Sequence, residues 1–135
     1  MASRLNPYIN FAGQAREALE FYKGVFGGTT TLSTFGEFGD KDAPGADQIM
    51  HGQLETPAGY TLMVSDTPPG MPYNPGTTIT VSVSGDDADE LRGYWERLAQ
   101  DGQVTVPLAK QMWGDEFGSV VDRFGIAWMV DITAS

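Results

Sequence analysis

The chain carries one structural plan written twice, and this duplication constrains its fold more than any other feature. Ile9-Asn-Phe-Ala-Gly13 lies over Val81-Ser-Val-Ser-Gly85. At the same offset Leu19 falls on Leu91, Tyr22 on Tyr94 and Phe26 on Leu98. At a slightly shorter offset Gly59-Tyr-Thr-Leu-Met-Val64 falls on Gly125-Ile-Ala-Trp-Met-Val130. Each half reads strand, helix, then several strands.

The first strand of each half alternates. Pro7, Ile9 and Phe11 point one way, Tyr8 and Asn10 the other; Ile79, Val81 and Val83 oppose Thr78, Thr80 and Ser82. Period-two alternation predicts a sheet with one apolar face. The opposite face is polar but uncharged, which suits either a partly enclosed hydrogen-bonding surface or a solvated Thr/Ser strand. A helix follows each strand. Ala15, Ala18, Leu19, Tyr22 and Phe26 form one helical stripe, ended by Gly27-Gly28; Ala88, Leu91, Tyr94, Trp95 and Leu98 form the other, with an Asp87/Glu90 capping pair and Gly102 as the stop. Further strands are predicted over 29–35, 48–55 and 60–65, then 104–109, 118–122 and 126–132. A loop spans 36–47. Pro68, Pro69, Pro72 and Pro75 mark a semi-rigid linker. The organisation is a single domain over 1–135: module one at about 1–66, linker 67–76, module two at about 77–135.

Composition narrows the chemistry. There are no cysteines, a single histidine (His51), and 18 acidic against 8 basic residues for a formal charge of −10. Disulfides, thiolate zinc sites and a cysteine nucleophile are excluded. The acidic balance argues against nucleic acid or an anionic membrane as partner. No run approaches a membrane span, and Met1-Ala-Ser-Arg-Leu-Asn-Pro-Tyr8 shows no apolar signal core, so a cytoplasmic location is expected. There is no Gly-x-Ser-x-Gly elbow, no phosphate loop, and no dinucleotide-type or S-adenosylmethionine glycine loop.

A βαβββ unit used twice is the plan of the vicinal oxygen chelate superfamily of glyoxalase, fosfomycin-resistance, bleomycin-resistance and extradiol dioxygenase proteins. Within it the chain most resembles the PhnB-like group, often labelled 3-demethylubiquinone-9 3-methyltransferase. The resemblance rests on Asn6-Pro-Tyr-Ile-Asn-Phe11, Glu17-Ala-Leu-Glu-Phe-Tyr-Lys23 with Phe26-Gly-Gly28, Ile49-Met-His51, Leu62-Met-Val-Ser-Asp66, Trp113 with Phe117-Gly118, and the closing Asp122-Arg-Phe-Gly-Ile-Ala-Trp-Met-Val130. It implies an α+β fold of two βαβββ modules, each a curved mixed sheet with one outer helix. It also implies a homodimer, and a metal held by the first and last strand of each half. Those positions fall on Asn6, Thr78, Met63 and Met129. An amide, a hydroxyl and two thioethers do not suit a hard divalent ion, so no metal and no cofactor are expected, and metal-dependent glyoxalase or methyltransferase activity is disfavoured.

In place of the metal the resemblance leaves a cavity between sheets lined by Tyr8, Asn10, Met63, Thr80, Ser82 and Met129. Two methionines with a few hydrogen-bonding groups suit a small apolar or aromatic ligand, although Met63 and Met129 could equally fill a core. His51 is the candidate acid/base residue. Pairing Leu62 and Val64 with Leu54 and Met50 places His51 and Gln53 beside Met63, and a one-residue slip reverses this. Trp113 and Phe117, flanking Asp115 and Glu116, make either an acid-rimmed lid or a glycine-rich turn. Asp66 reads as a turn-former or a rim acid. The expected function is metal-independent binding or sequestration of a small apolar or aromatic molecule. The alternative is an isomerase, lyase or dioxygenase of the same superfamily, using His51 or an unexpected metal.

Overall fold

The computed structural model describes residues 4–133. It divides into two compact units, Met1–Pro75 and Gly76–Ser135. The first contains β1 (Tyr8–Phe11), α1 (Ala15–Phe26), β2 (Thr29–Thr34), a single helical turn α2 (Phe35–Phe38), β3 (Ile49–Glu55) and β4 (Thr61–Asp66). The second contains β5 (Val81–Gly85), α3 (Ala88–Ala99), β6 (Gln103–Lys110), β7 (Glu116–Val121) and β8 (Ala127–Ile132). The sheet orders are β1-β4-β3-β2 and β5-β8-β7-β6. In each, the first and last strands of the unit run parallel and the other pairs antiparallel. The fold is thus α+β, with the βαβββ plan repeated.

Both helices form because their apolar residues recur on one stripe, and that stripe packs on one face of the unit's own sheet. In the first unit Ala15, Ala18, Leu19 and Tyr22 of α1 are fully buried, as are Phe11, Leu54 and Val64 of the sheet. In the second unit Leu91, Tyr94 and Leu98 are buried, as are Val83, Val120, Trp128 and Val130. Each such Leu or Val contributes roughly 1.5–3 kcal/mol by leaving water. Both sheets keep a glycine beneath the helix. A Cβ on Gly52 would lie 2.9 Å from Leu32 and Val64 and 3.1 Å from Leu19 of α1. A Cβ on Gly118 would lie 2.7 Å from Trp95 of α3. Gly52 pairs with Val64 and Gly118 with Val130, so the two glycines hold equivalent registers.

The two helices are capped differently. The Asp87 carboxylate accepts from Glu90 N at 3.1 Å, a local cap on α3. Gln14 at the start of α1 gives no side-chain cap. Asp66 does this work from the far end of β4. Its Oδ1 accepts from Gly13 N and Ala15 N, each at 2.9 Å, and its Oδ2 from Ile49 N at 3.0 Å. At 3% exposure Asp66 is neither a turn-former nor a rim acid. It is a buried carboxylate tying β4 to the start of α1 and the start of β3, where the helix dipole also favours negative charge. The buried Asp122 has a comparable role in the second unit. It accepts from Phe124 N, Ile126 N and Trp128 Nε1 at 2.8, 3.1 and 2.9 Å, closing the β7–β8 turn.

Four expectations are corrected. Thr78, Ile79 and Thr80 lie outside β5, and Ile79 is 81% exposed. The partner strand β8 starts at Ala127, after the turn at Gly125, and offers them no ladder. Residues Phe35–Phe38 form a helical turn instead of ending a strand, because Phe35 N and Gly36 N bond back to Gln48 O and Ala46 O. The left-handed residue after α3 is Asp101 (φ 57°) rather than Gly102; Gly102 is needed for space, since a Cβ there would lie 2.5 Å from Val121 O. Finally, Val64 pairs with Gly52 rather than Met50. Ser33 pairs with His51 and Thr34 with Ile49, leaving Met50 as the extra residue of a β-bulge. The bulge resets the alternation, so Ile49 is buried where Met50 was expected.

Candidate functional site

The face of the first sheet opposite α1 is built from β1 Tyr8 and Asn10, β4 Met63 and Ser65, β3 His51 and Gln53, and β2 Ser33 and Thr31. Cross-strand pairing places Tyr8 beside Met63, Met63 beside Gln53, and His51 beside Ser33. Met63, His51 and Gln53 are half-buried and Tyr8 is 49% exposed. His51 therefore lies on the same face as Met63 and Tyr8. Asn10 accepts from Ser65 Oγ at 2.8 Å, which holds its amide against the sheet.

A string of hydrogen bonds crosses this face. Tyr8 Oη lies 3.3 Å from His51 Nδ1, and the two rings are 5.7 Å apart. His51 Nε2 lies 3.4 Å from Gln53 Oε1. Gln53 Nε2 donates to Glu55 Oε1, which also accepts from Arg4 Nη1 at 2.8 Å. Arg4 further contacts Thr61 Oγ1 at 3.2 Å. The Arg4 hydrogen bond, followed by the Gln53 amide, holds the Glu55 carboxyl below its usual range. Sequence reasoning set Gln53 beside His51 on the Met63 face but singled out neither Glu55 nor Arg4. The alternation of β3 places Gln53 and Glu55 on the His51 face; nothing local announces Arg4.

In the second unit the face opposite α3 carries Met129, between Ser82 and Ser119. Phe117 pairs with Asp131 on the same face. Trp113, 59% exposed, sits in the turn closed by Gln111 N to Asp115 O, and its ring is 6.4 Å from Phe117. Thr80, expected here, is exposed and precedes the strand. The neighbouring acids of the Trp113–Gly118 segment diverge. Glu116 pairs with Arg92 of α3 at 2.8 Å. Asp115 instead lies close enough to Asp131 to act on its carboxyl. Burial and then the Asp115 side chain hold the Asp131 carboxyl above its usual range, and its Oδ1 is buried without a hydrogen-bond partner.

A carboxyl whose folded pKa is raised stabilises the fold only while protonated. Its contribution is complete at low pH and is lost as pH climbs through the folded value. Asp131→Asn should remove that loss. The variant is expected to exceed wild type at neutral pH by on the order of 1 kcal/mol and to match it in acid. Urea titrations at both pH values test this; an equal or lower stability at neutral pH refutes it.

The metal-ligand positions implied by the fold resemblance do not fit a hard divalent ion. Asn6 Nδ2 is bonded to Pro7 O at 3.0 Å, Thr78 is exposed outside β5, and Met63 and Met129 offer only thioether sulfur. Among the described residues no group of three or more His, Asp or Glu side chains is placed to hold a metal ion. Nor is any helix among them long and apolar enough to cross a membrane.

Comparison with known proteins places the chain. Residues 3–131 match the family described as 3-demethylubiquinone-9 3-methyltransferase. Protein PA1353 from Pseudomonas aeruginosa is 34% identical; the match covers 99% of this chain and all of that one, with a TM-score of 0.87. The PhnB protein from Bacillus cereus is 23% identical over 97% of this chain and 100% of its own, with a TM-score of 0.75. A glyoxylase/bleomycin resistance protein/dioxygenase domain from Frankia sp. shares the fold at a TM-score of 0.69 with 13% identity, covering 100% of this chain and 94% of its own. With nearly its whole length matched, the chain belongs to the family described as 3-demethylubiquinone-9 3-methyltransferase, and its fold is that of the glyoxylase/bleomycin resistance protein/dioxygenase domain.

Proposed function

We propose that this protein binds, and in the cell sequesters, a small apolar or aromatic molecule without a metal ion. One observation carries this reading. Each sheet holds a half-buried methionine on the face opposite its helix, Met63 between Tyr8 and Gln53 and Met129 between Ser82 and Ser119. Thioether and ring surfaces give adaptable apolar contact, and the neighbouring Tyr8, Gln53, Ser82 and Ser119 groups orient polar substituents. Such a surface suits a neutral aromatic ligand better than a hydrophilic ion. The binding species we propose is a cytoplasmic homodimer.

Thermal denaturation in the presence of a panel of neutral aromatic compounds tests the reading. A ligand at 100 times its Kd stabilises by about 2.7 kcal/mol, a shift of several degrees at this size. At least one compound should raise the melting temperature of wild type and fail to raise that of the Met63→Asp, Met129→Asp double variant. No shift with any compound, or an undiminished shift in the double variant, overturns the proposal. Elemental analysis of untagged protein bears on the metal: a stoichiometric transition metal overturns the metal-independent reading.

A further inference from the structure

The string across the first sheet has a direction, and that direction selects a class of ligand. Glu55 is ionised and can only accept hydrogen bonds. The Gln53 amide must therefore turn its NH2 group toward Glu55, which leaves its carbonyl oxygen toward His51. A carbonyl oxygen can only accept, so His51 Nε2 carries the hydrogen. In the neutral ring Nδ1 is then a bare lone pair, and the Tyr8 hydroxyl donates to it. The oxygen lone pairs of Tyr8 remain for a donor arriving at its exposed side. The charge on Glu55 is balanced by Arg4 at 2.8 Å. His51 is faced by Tyr8 from β1, Ser33 from β2 and Gln53 from β3, none of them charged.

We propose, resting on the binding reading above, that this face takes a small ligand bearing a weakly acidic hydroxyl, a phenol or an enol, and holds it as its anion. The ligand O–H bond breaks and its proton passes to the Tyr8 oxygen. The Tyr8 O–H bond breaks in the same event and that proton passes to His51 Nδ1. The electron pair of the broken bond stays on the ligand oxygen, which becomes phenolate or enolate. Tyr8 ends as it began, donating now to the ligand anion, and His51 ends as imidazolium. Imidazole is the side chain that takes up a proton readily near neutrality, and Tyr8 is its exposed relay. Tyr8 contacts the ligand and His51 stores the proton. Gln53 and Glu55 are positioning residues that set the tautomer.

The single histidine makes the first test unambiguous. Nitrogen-15 NMR of the unliganded protein should show His51 with hydrogen on Nε2 and a bare Nδ1, and Gln53→Leu should shift it toward a mixture. Hydrogen on Nδ1 in wild type overturns the proposal. The second test uses 4-nitrophenol, whose phenolate is yellow, and 4-nitroanisole, its methyl ether without the hydroxyl. One pH unit below the dissociation of free 4-nitrophenol, the bound compound should be ionised about tenfold more than the free one. Tyr8→Phe and His51→Gln should each abolish that ionisation, and undiminished ionisation in either variant overturns the relay. If both compounds bind but 4-nitrophenol stays neutral, the proton-coupled claim falls and the binding reading stands. If neither raises the melting temperature while other neutral aromatics do, the hydroxyl-ligand claim alone falls. If no aromatic compound does, both fall.

Discussion

Asp66→Ala is expected to cost about 3 to 5 kcal/mol of folding stability. The substitution leaves Gly13 N, Ala15 N and Ile49 N without the carboxylate they share, at a site too buried for water to replace it fully. It also uncaps α1, which has no side-chain cap of its own. Asp66→Asn should cost less, about 2 kcal/mol. Its oxygen can serve the two donors at the helix start, but its NH2 then meets the Ile49 N–H as donor against donor. Asp87→Ala removes only the local bond on α3 and should cost about 1 kcal/mol. Urea denaturation followed by far-UV circular dichroism measures the series, because all three tryptophans (95, 113 and 128) lie in the second unit and would not report on the first. A loss below about 1 kcal/mol for Asp66→Ala would show that the three amides find other partners.

Gly28→Ala should be as damaging, by about 3 to 5 kcal/mol. Two penalties coincide there. Gly28 sits at φ 107°, where a side chain is strained, and a Cβ would lie 2.1 Å from Glu55 O and 2.9 Å from Thr56 Cα. Those atoms are backbone and cannot swing aside, so β2 and β3 would have to separate at their shared end. Gly59→Ala separates the two causes. Gly59 has φ 90° but nothing within 4 Å of a Cβ, so its cost should stay near 1 kcal/mol. Equal losses at the two positions, read by the same denaturation, would mean that backbone conformation alone explains Gly28 and that the close approach of β2 to the β3–β4 turn is unimportant.

Much of the architecture was legible because it is written in local periods. The stripe of α1 and the alternation of β1, β4 and β8 depend only on which residues are apolar and how far apart they stand. The helix bounds and most strand bounds of the structure lie within a residue or two of the sequence reading. The face shared by His51, Gln53 and Met63 also follows from alternation, but only when the β3–β4 register is right. Leu54 opposite Leu62 supplies that register. The Met50 bulge was invisible because an extra residue leaves no mark in composition; it shows only when β2 is laid beside β3. Asp66 was misread for a related reason. An acid at the edge of a Pro-rich segment looks like a turn residue until the helix whose amides it caps is brought against it.

The sequence by itself determined a doubled βαβββ chain and two helices each with one apolar stripe. Repetition and periodicity are properties of neighbours along the chain, and burial energies act on them directly. Tertiary structure alone decided that Asp66 caps a helix from another strand, that Asp115 acts on Asp131, and that Arg4, Glu55, Gln53, His51 and Tyr8 form one string. Those arrangements join groups far apart in sequence. A hydrogen bond exists only when donor and acceptor come within about 3 Å, and strand register, not residue type, sets that distance.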